Sequence, residues 1–327
     1  MTQEFEFERP ITELEKRLKD LQTLSEEGNI DLSREITAIA DKIEAMKAEV
    51  FRNLEPWQIT QVARHIQRTS TLDYVKLIFG EDNFVELHGD RLFGEDTSII
   101  TGFADLGERP VALIGHQKGH DTEENIFRNF GMPHPEGYRK SMRIMKMAEK
   151  FGRPIIVFID TPGAFPGIGA EERGQSEAIA RSIMTMSRVR VPVMCFVIGE
   201  GGSGGALAIG IGDRVYMLEY SVYSVISAEG CAAILWKDSS KAKEAATSLK
   251  MRAQDLLQLG VIDGIIPEPL GGVHRNPEMV ARLIKKMILS ELPKLCSLSP
   301  DELVSRRYSK FRQLGAYKIE EDFEKDA

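Results

Sequence analysis

The chain of 327 residues has the length of about two average domains, although one large α/β domain can also reach this size. Hydrophobic residues make up 42%, and 50 acidic against 42 basic residues give a net charge of −8. The acidic balance argues against a nucleic-acid groove, which requires a concentrated basic surface. No stretch of 18 uninterrupted apolar residues is present, so we predict no membrane span.

The three cysteines, Cys195, Cys231 and Cys296, lie far apart in the sequence and form no CxxC pair. Scattered single cysteines are typical of proteins in reducing compartments. The first ten residues are acidic, whereas a signal peptide begins with a basic segment followed by an apolar run. We therefore expect a cytoplasmic protein.

Residues 1–56 are predicted to form an N-terminal helical hairpin. Two series of apolar residues with helical spacing flank the turn-like Glu27-Gly28-Asn29: Ile11, Leu14, Leu18 and Leu21, then Leu32, Ile36, Ile39, Ile43, Met46 and Val50. Such a stripe must be buried against another helix, and a short turn favours an antiparallel pair. The stripe could pack within the chain or bind a partner, and the sequence leaves both possibilities open.

Residues 57–296 are predicted to form the main domain, because short apolar runs alternate with helical patterns. The predicted strands are Ile99–Leu106, Pro110–His116, Pro154–Asp160, Val191–Ile198, Arg214–Leu218 and Gly260–Ile266. The predicted helices are Gly137–Lys150, Glu171–Arg188, Gly204–Ile211, Ala228–Trp236 and Ser239–Leu259. This α/β alternation favours a largely parallel sheet with a site at the carboxyl ends of its strands. Residues 297–327 are polar, and we predict a loose C-terminal tail that ends in an acidic segment.

The glycine-rich segment after the strand 191–198 matches two unrelated motifs. From Gly199 it fits GxGxxG, with Glu219 at the distance of a ribose-binding acid. From Gly201 it fits GxSxG, in which Ser203 would be a nucleophile and His274 the one histidine downstream. Because one glycine-rich stretch satisfies both patterns by composition, neither match is specific.

A simpler physical property follows from Gly204 and Gly205. They open a helix directly after a strand, so their amides are unpaired and lie at the positive end of the helix dipole. Without a Cβ atom, both residues allow an oxygen-bearing ligand to approach the backbone closely. We therefore predict an oxyanion hole at this position. Close packing of the helix against the strand would be the structural explanation for the same glycines.

The strand before it ends in Asp160-Thr161-Pro162-Gly163, which resembles the DxxG element of GTPases. A GTPase also needs the phosphate loop GxxxxGK[ST], and the sequence contains none. The prolines and glycines of residues 162–169 instead predict a rigid turn that exposes backbone amides beside the first site.

Two other motifs are weak. His116 and His120 have a spacing that suits a metal on a helix, but His116 ends a strand and no cysteine is near. We predict no metal in this chain. Met145-Lys146-Met147 resembles the tripeptide around a biotinylated lysine, but it lies in a helical pattern, so we predict no biotin at Lys146.

Six segments together resemble the α subunit of the bacterial acetyl-CoA carboxylase carboxyltransferase. They are GHQKG at 115–119, NFGMPHPEGYRK at 129–140, FIDTPGAFPGIGAEERGQSEAIA at 158–180, VIGEGGSGGALAIG at 197–210, YSVISAEGCAAILWK at 223–237 and IIPEPLGGVHRNP at 265–277. The resemblance extends from the helical hairpin to about Tyr317. Only the acidic extension after Lys318 lies outside the family pattern.

The resemblance implies a crotonase-type fold, a spiral of ββα units. The activity implied is transfer of a carboxyl group from carboxybiotin to acetyl-CoA, giving malonyl-CoA for fatty acid synthesis. Biotin would be attached to a biotin carboxyl carrier protein, which a biotin carboxylase charges. A zinc-containing β subunit would supply the acetyl-CoA half of the site, in an α2β2 heterotetramer, and this chain would be active only with that subunit.

The resemblance also implies roles for particular residues. Gly204 and Gly205 would form the oxyanion hole for biotin. The remaining substrate-binding residues would be Pro162, Gly163, Ala164, Phe165, Gly201, Gly202 and Ala206. A serine hydrolase that uses Ser203 and a non-catalytic assembly subunit are the two alternative hypotheses.

Overall fold

The computed structural model describes residues 5–28 and 31–315. Within them the strands are β1 Phe84–Glu86, β2 Ile99–Leu106, β3 Arg109–His116, β4 Ile155–Thr161, β5 Val193–Gly202, β6 Arg214–Leu218, β7 Val222–Ser224 and β8 Gly264–Ile266. The first helices are α1 Arg9–Gly28, α2 Ser33–Arg52, α3 Pro56–Ala63, α4 Thr71–Phe79, α5 Thr122–Phe127, α6 Pro135–Lys150 and α7 Ile168–Glu172. The others are α8 Gln175–Arg188, α9 Ser203–Leu207, α10 Ala228–Trp236, α11 Ala242–Leu249, α12 Ala253–Gln258, α13 Pro277–Cys296 and α14 Pro300–Arg312.

The described strands form one sheet in the order β1-β2-β3-β4-β5-β6-β8, and β7 pairs with the end of β5. The pairs β1–β2 and β2–β3 are antiparallel, and all the others are parallel. The predicted parallel sheet is therefore confirmed, with β2 and β6 at their predicted bounds. The sequence analysis misses β1 and β7, which are too short to show a periodic pattern.

Both faces of the central sheet are covered, and all seven residues of β4 are buried. Ile144 and Met145 of α6 pack on one face, whereas Ile284 and Ile288 of α13 pack on the other. Strands buried on both faces contain continuous apolar runs, as predicted for a parallel sheet. The carboxyl ends of β4 and β5 remain as the open edge where a site can form.

The helices α1 and α2 lie side by side as an antiparallel hairpin, with Glu15 and Lys47 forming an ion pair of 2.9 Å. Ile11 and Ile43 of the predicted apolar series are buried, and the other members are partly exposed. One apolar cluster joins the hairpin to Tyr220 and to Ala245 of α11. The hairpin therefore packs within the chain. Of the predicted turn, Asn29 lies outside the described residues.

The C-terminal segment differs from the predicted polar tail, because Pro300–Arg312 form helix α14. Arg307 is fully buried, and its guanidinium donates to the Asp213 carboxylate at 2.7 and 2.9 Å. It also donates to the backbone carbonyls of Met186, Val189 and Val191. A buried ion pair fixes this polar helix, which no apolar pattern could reveal. The acidic extension lies outside the described residues, and the division into domains remains a prediction.

The predicted helix Ser239–Leu259 is also wrong as one element. It divides into α11 and α12, because Lys250 adopts the left-handed conformation with φ of 52° and ends the first of them. The buried side chain of Met251 lies between the two helices.

Candidate active site

The candidate site lies at the carboxyl ends of β4 and β5. β5 extends to Gly202, beyond the predicted end at Ile198, because its last three residues pair with β7. The register between β4 and β5 shifts before Thr161, which lies opposite Gly201. Helix α9 begins at the next residue, Ser203, so the glycine-rich segment belongs half to a strand and half to a helix.

The backbone of this segment directly contacts the turn after β4. A Cβ atom added at Gly205 would lie 2.5 Å from Ala164 N and 2.6 Å from Gly163 C. A Cβ atom added at Gly202 would lie 2.1 Å from Pro162 O. Real Cβ atoms do not approach other atoms this closely, so both positions require glycine. The structure thus brings the predicted turn and the predicted glycines together.

The other predicted residues have different surroundings. Gly204 has only Ile179 nearby, 3.5 Å from an added Cβ atom, so a methyl group fits at this position. Gly201 packs against the Tyr223 ring, and Ala206 is fully buried in the core behind the site. The Phe165 ring packs against the His134 ring at an interplanar angle of 34°, with centroids 4.4 Å apart. The sequence assigns Gly204 and Gly205 one role, whereas the structure distinguishes them.

The turn after β4 is fixed at both ends and leaves one amide free. Gly163 N–H donates to Thr161 Oγ1 at 3.0 Å, and Phe165 N–H donates to Pro133 O at 3.0 Å. Ala164 N–H has no hydrogen-bond partner among the residues that the structure describes. The unpaired Ala164 amide nitrogen therefore lies next to the start of α9, whose first amides lack intrahelical partners.

An open cavity of about 340 Å³ adjoins Ser203 and Gly204. Most of its walls are apolar, formed by Leu207, Tyr223, Val225, Leu249, Leu256 and Val261. Apolar walls beside a few fixed polar groups are typical of a small-molecule site.

A network of charged side chains joins the two strand ends. The buried Asp160 carboxylate accepts hydrogen bonds from Glu200 N–H at 2.9 Å and from Lys118 Nζ at 2.7 Å. Lys118 Nζ also contacts Glu200 Oε2 at 2.8 Å, and Arg64 bridges Glu200 and Glu229. Sequence reasoning missed this network, although Lys118 and Asp160 both lie in family-like segments. No local pattern indicates that residues 40 or more positions apart would pair.

The network is charged despite its burial. Burial alone would lower the pKa of Lys118, but the carboxylates of Asp160 and Glu200 raise it above its ordinary value. Burial likewise opposes ionisation of Glu200, whose pKa Lys118 and Arg64 hold below its ordinary value. Each charge is thus compensated, as a buried ion pair requires. The network fixes the β5 end relative to β4 and thereby the backbone contact described above.

The two histidines considered for a metal lie apart. His116 is fully buried at the end of β3, and burial lowers its pKa to about 3. His120 is exposed and contacts Asp73 at 2.8 Å. Across residues 5–28 and 31–315, no three His, Cys, Asp or Glu side chains form a group that could hold a metal ion.

The structure supports the serine hydrolase hypothesis in the conformation of Ser203 and contradicts it in the position of His274. Ser203 is exposed and has φ of 53°, the strained strand-to-helix conformation of a nucleophile elbow. Its predicted base, His274, instead stacks on His65 at 4.0 Å, and burial lowers the pKa of His274 to about 3. In the described part of the chain, no histidine lines the cavity beside Ser203.

The dinucleotide motif is not assembled either, because Glu219 accepts a hydrogen bond from Glu268 N–H at 3.0 Å rather than approaching the glycines. Lys146 lies within α6, as predicted, and not at a hairpin tip.

Solved structures share this fold. A transcarboxylase 12S structure, with methylmalonyl-coenzyme A and methylmalonic acid bound, matches 68% of the chain with a TM-score of 0.53 and 20% identity. The chain spans 44% of that transcarboxylase chain. A Pseudomonas malonate decarboxylase structure in complex with coenzyme A matches 74% of the chain and 96% of its own, with a TM-score of 0.57 and 16% identity. The predicted crotonase-type fold is therefore confirmed, and it defines the class of the protein.

Sequence comparison identifies the family within this class. The family model described as "Acetyl co-enzyme A carboxylase carboxyltransferase-like" matches residues 4–315. The acetyl-coenzyme A carboxylase carboxyl transferase subunit alpha of Halalkalibacterium halodurans is 53% identical over 97% of both chains. That of Geobacillus thermodenitrificans is 55% identical over 96% of both chains.

The chain belongs to the family of acetyl-CoA carboxylase carboxyltransferase α subunits. The predicted enzyme class and activity are thereby confirmed. Membership also implies partner subunits, biotin and acetyl-CoA. None of the helices in the described residues has the length and apolar character needed to cross a membrane.

Proposed function

We propose that this chain supplies the biotin side of the carboxyltransferase site, in which backbone amides stabilise negative charge on the biotin oxygen. The observation that supports this proposal is the contact between Gly205 and Ala164. The free Ala164 amide nitrogen lies next to the start of α9, and Gly204, the neighbour of Gly205, lines the apolar cavity.

The cavity beside Ser203 and Gly204 suits the fused rings of biotin. Its apolar walls, including Leu207 and Tyr223, would pack against the rings, and the neighbouring amides would bind the polar oxygen. Carboxybiotin supplies the carboxyl group when bound. Biotin would reach the cavity on a carrier protein rather than on Lys146 of this chain.

The residues of this chain would act by holding backbone amides in fixed positions. The amides of Ala164 and Gly205 belong to a turn and a helix start that are in direct contact, so neither has to move during the reaction. Fixed donors aimed at developing charge contribute about 2.7–4 kcal/mol each to transition-state stabilisation. Pro162, Gly163 and Phe165 would hold the Ala164 amide in place, and Gly201 and Gly202 would hold the start of α9.

The acetyl-CoA half of the site would come from a zinc-containing β subunit in an α2β2 heterotetramer, in the cytoplasm. A biotin carboxylase would charge the carrier protein. Three large apolar side chains in or near the candidate site are exposed and would need such a partner. They are Val225 in the cavity wall, exposed by 75%, Leu259 by 62%, and Ile168 after the turn that follows β4, by 79%. We infer that the isolated chain has at most trace activity.

The test measures malonyl-CoA formation from acetyl-CoA by the full chain, with and without a β subunit, while a biotin carboxylase supplies carboxybiotin from biotin, bicarbonate and ATP. We expect robust product only when both subunits are present. Biotin binding to the chain alone, followed by calorimetry, gives a readout independent of activity, and Leu207→Asp should weaken it. Efficient turnover by the chain alone would refute the divided site.

The hydrolase hypothesis is favoured by one observation, the strained conformation of Ser203. A fluorophosphonate probe tests it directly, because such probes label an activated serine. Since no histidine lines the cavity in the described residues, we expect no labelling. Labelling that Ser203→Ala abolishes would establish a hydrolase and displace the carboxyltransferase mechanism at this site.

A further inference from the structure

A second cavity, of about 620 Å³, lies on the outer surface between α6 and α8. We name it the basic groove. Two carboxylates line it, Asp90 and Glu177, together with six cationic side chains: Arg91, Arg139, Arg143, Lys146, Arg181 and Arg188. The local charge is thus +4, on a chain whose net charge is −8. Surfaces normally mix charges of both signs, so this concentration requires an explanation.

Most of these cations have no carboxylate partner. Glu177 pairs with Arg181 and lies 3.9 Å from Arg139. Arg143 donates to the backbone carbonyls of His88 and Gly89, at 2.8 and 3.2 Å, and to Met147 Sδ at 4.0 Å, and none of these partners carries a charge. Three further cations form no hydrogen bond or ion pair among the residues that the structure describes: Arg91, Lys146 and Arg188. Four positive charges therefore remain uncompensated in one groove.

A rigid turn closes one side of the groove. The Asp90 carboxylate accepts hydrogen bonds from the amides of Leu92, Phe93 and Gly94, at 2.7, 2.9 and 3.1 Å. These bonds hold the Asp90 carboxylate within the turn, and its negative charge is already included in the local charge of +4. Arg91 adopts the left-handed conformation with φ of 64°, which is uncommon for a residue other than glycine. The turn fixes the backbone of Arg91 at the edge of the groove.

The spacing of the cations indicates the size of the ligand. Arg143 and Lys146 lie on one face of α6, three residues apart, and Arg181 and Arg188 lie on one face of α8. Seven residues of helix span about 10 Å, so the charges line an extended path rather than one point. Such a path suits a ligand with more than one anionic group, and guanidinium groups bind phosphates through paired hydrogen bonds.

Apolar side chains lie in the same groove. Met142, Met184 and Leu92 line it beside the cations, and Met184 and Leu92 are exposed by 47% and 79%. Methionine side chains adapt to flat aromatic ligands. We propose that the basic groove binds a nucleotide with at least two adjacent phosphates. Free ADP and the ADP-like end of coenzyme A share this chemistry.

The experiment measures binding to the full chain alone, by calorimetry at low and moderate salt, so it does not depend on the proposed function. The probes are ADP, coenzyme A and inorganic pyrophosphate. The test variant is Lys146→Glu with Arg188→Glu, two exposed cations without partners, whose replacement should leave folding intact. The matched control is Arg282→Glu with Lys286→Glu, which makes the same charge change on exposed positions of α13.

We expect ADP or coenzyme A to bind several-fold more tightly than pyrophosphate. The groove variant should weaken binding on the order of tenfold for each cation replaced, and the control should change it little. Tighter binding of coenzyme A than of ADP would identify coenzyme A as the ligand. Equal binding of the two would show that the groove recognises only the ADP portion that they share.

Three results would overturn the proposal. The first is that neither nucleotide binds at millimolar concentration. The second is that pyrophosphate binds as tightly as ADP, which leaves no role for the apolar walls. The third is that the groove variant and the control variant weaken nucleotide binding equally, because the nucleotide would then not bind in the groove.

Discussion

The ends of β4 and β5 and the N-terminal hairpin use opposite kinds of packing. At the strand ends, backbone contacts backbone, and an added Cβ atom at Gly205 would lie 2.5 Å from Ala164 N. In the hairpin, side chains contact side chains, and only Ile11, Ile43 and Phe51 of its helices are buried. A region packed through backbone cannot adjust to one methyl group, whereas a half-exposed helix pair can. Substitutions should therefore act very differently in the two regions.

The largest effect is expected at Gly205. Gly205→Ala would push the turn at Gly163 and Ala164 away from α9 and separate the two sets of amides. Loss of one such donor costs about 2.7–4 kcal/mol, or about 10²–10³ in rate. We expect this fall in kcat of the enzyme reconstituted with a β subunit. Assembly, followed by size-exclusion chromatography, should be retained.

Gly204→Ala is the matched control, because the added methyl group would meet only Ile179 at 3.5 Å. The same chemical change one residue away should leave kcat within a few-fold of the parent. Equal losses in the two variants would contradict the role of the Gly205–Ala164 contact. Unchanged kcat in both variants would mean that these amides do not stabilise charge in the reaction.

A second test concerns the network that fixes this contact. Asp160→Asn removes the charge that faces Lys118, although Glu200 still contacts the lysine at 2.8 Å. Charge-assisted hydrogen bonds contribute about 1.5–3 kcal/mol each, so we expect a loss of about 3 kcal/mol in the free energy of unfolding. Urea denaturation of the full chain measures it.

The position of Asp160 also predicts how the variant affects catalysis. If Asp160 acts by positioning the end of β5, kcat should fall while KM for biotin changes little. Lys118→Met with Asp160→Asn should partly restore stability, because the lysine would no longer be buried with half of its partners. A double variant less stable than either single one would exclude this coupling.

The contrast between the regions also explains what the sequence could predict. β2 and β6 follow from local apolar runs, because strands buried on both faces contain such runs wherever they lie. α14 could not be recognised as a docked helix, since its main anchor is Arg307, which pairs with a carboxylate 94 positions away. Local pattern predicts elements that are buried through apolar side chains and misses those held by distant charges.

The site shows the same limit. The helix start at Gly204 and Gly205 and the turn at Pro162 could be predicted, because glycine and proline restrict the local backbone. The sequence does not indicate which glycine contacts the turn, because the contact depends on the register shift between β4 and β5. The sequence also does not indicate that the Ala164 amide is free, because this depends on the hydrogen bonds that hold the neighbouring residues of the turn.

In the hairpin, Ile43→Ala should lower the free energy of unfolding by about 2 kcal/mol. This is at the lower end for a buried isoleucine, because the surrounding helices can partly close the cavity that the substitution leaves. Hydrogen exchange of the α2 amides should accelerate accordingly. Ile36→Ala is the control, since Ile36 lies on the same stripe but is partly exposed, and it should cost less than half as much. A larger loss of stability for Ile36→Ala than for Ile43→Ala would show that the partly exposed side of the hairpin is covered in solution, as expected for a surface that binds a partner.

The smallest effect is expected at Ser203, although its conformation resembles that of a nucleophile. Ser203 has φ of 53°, a region in which any side chain is strained and glycine is not. Ser203→Gly should therefore raise the free energy of unfolding by about 0.5–1 kcal/mol, and Ser203→Ala should leave it nearly unchanged. If backbone amides stabilise the charge, neither variant removes a donor, and kcat of the reconstituted enzyme should stay within about twofold of the parent. A hydrolytic serine would instead lose activity in both variants. Loss of carboxyl transfer in both, with assembly intact, would mean that the hydroxyl takes part in the reaction and that the strained turn serves to present it.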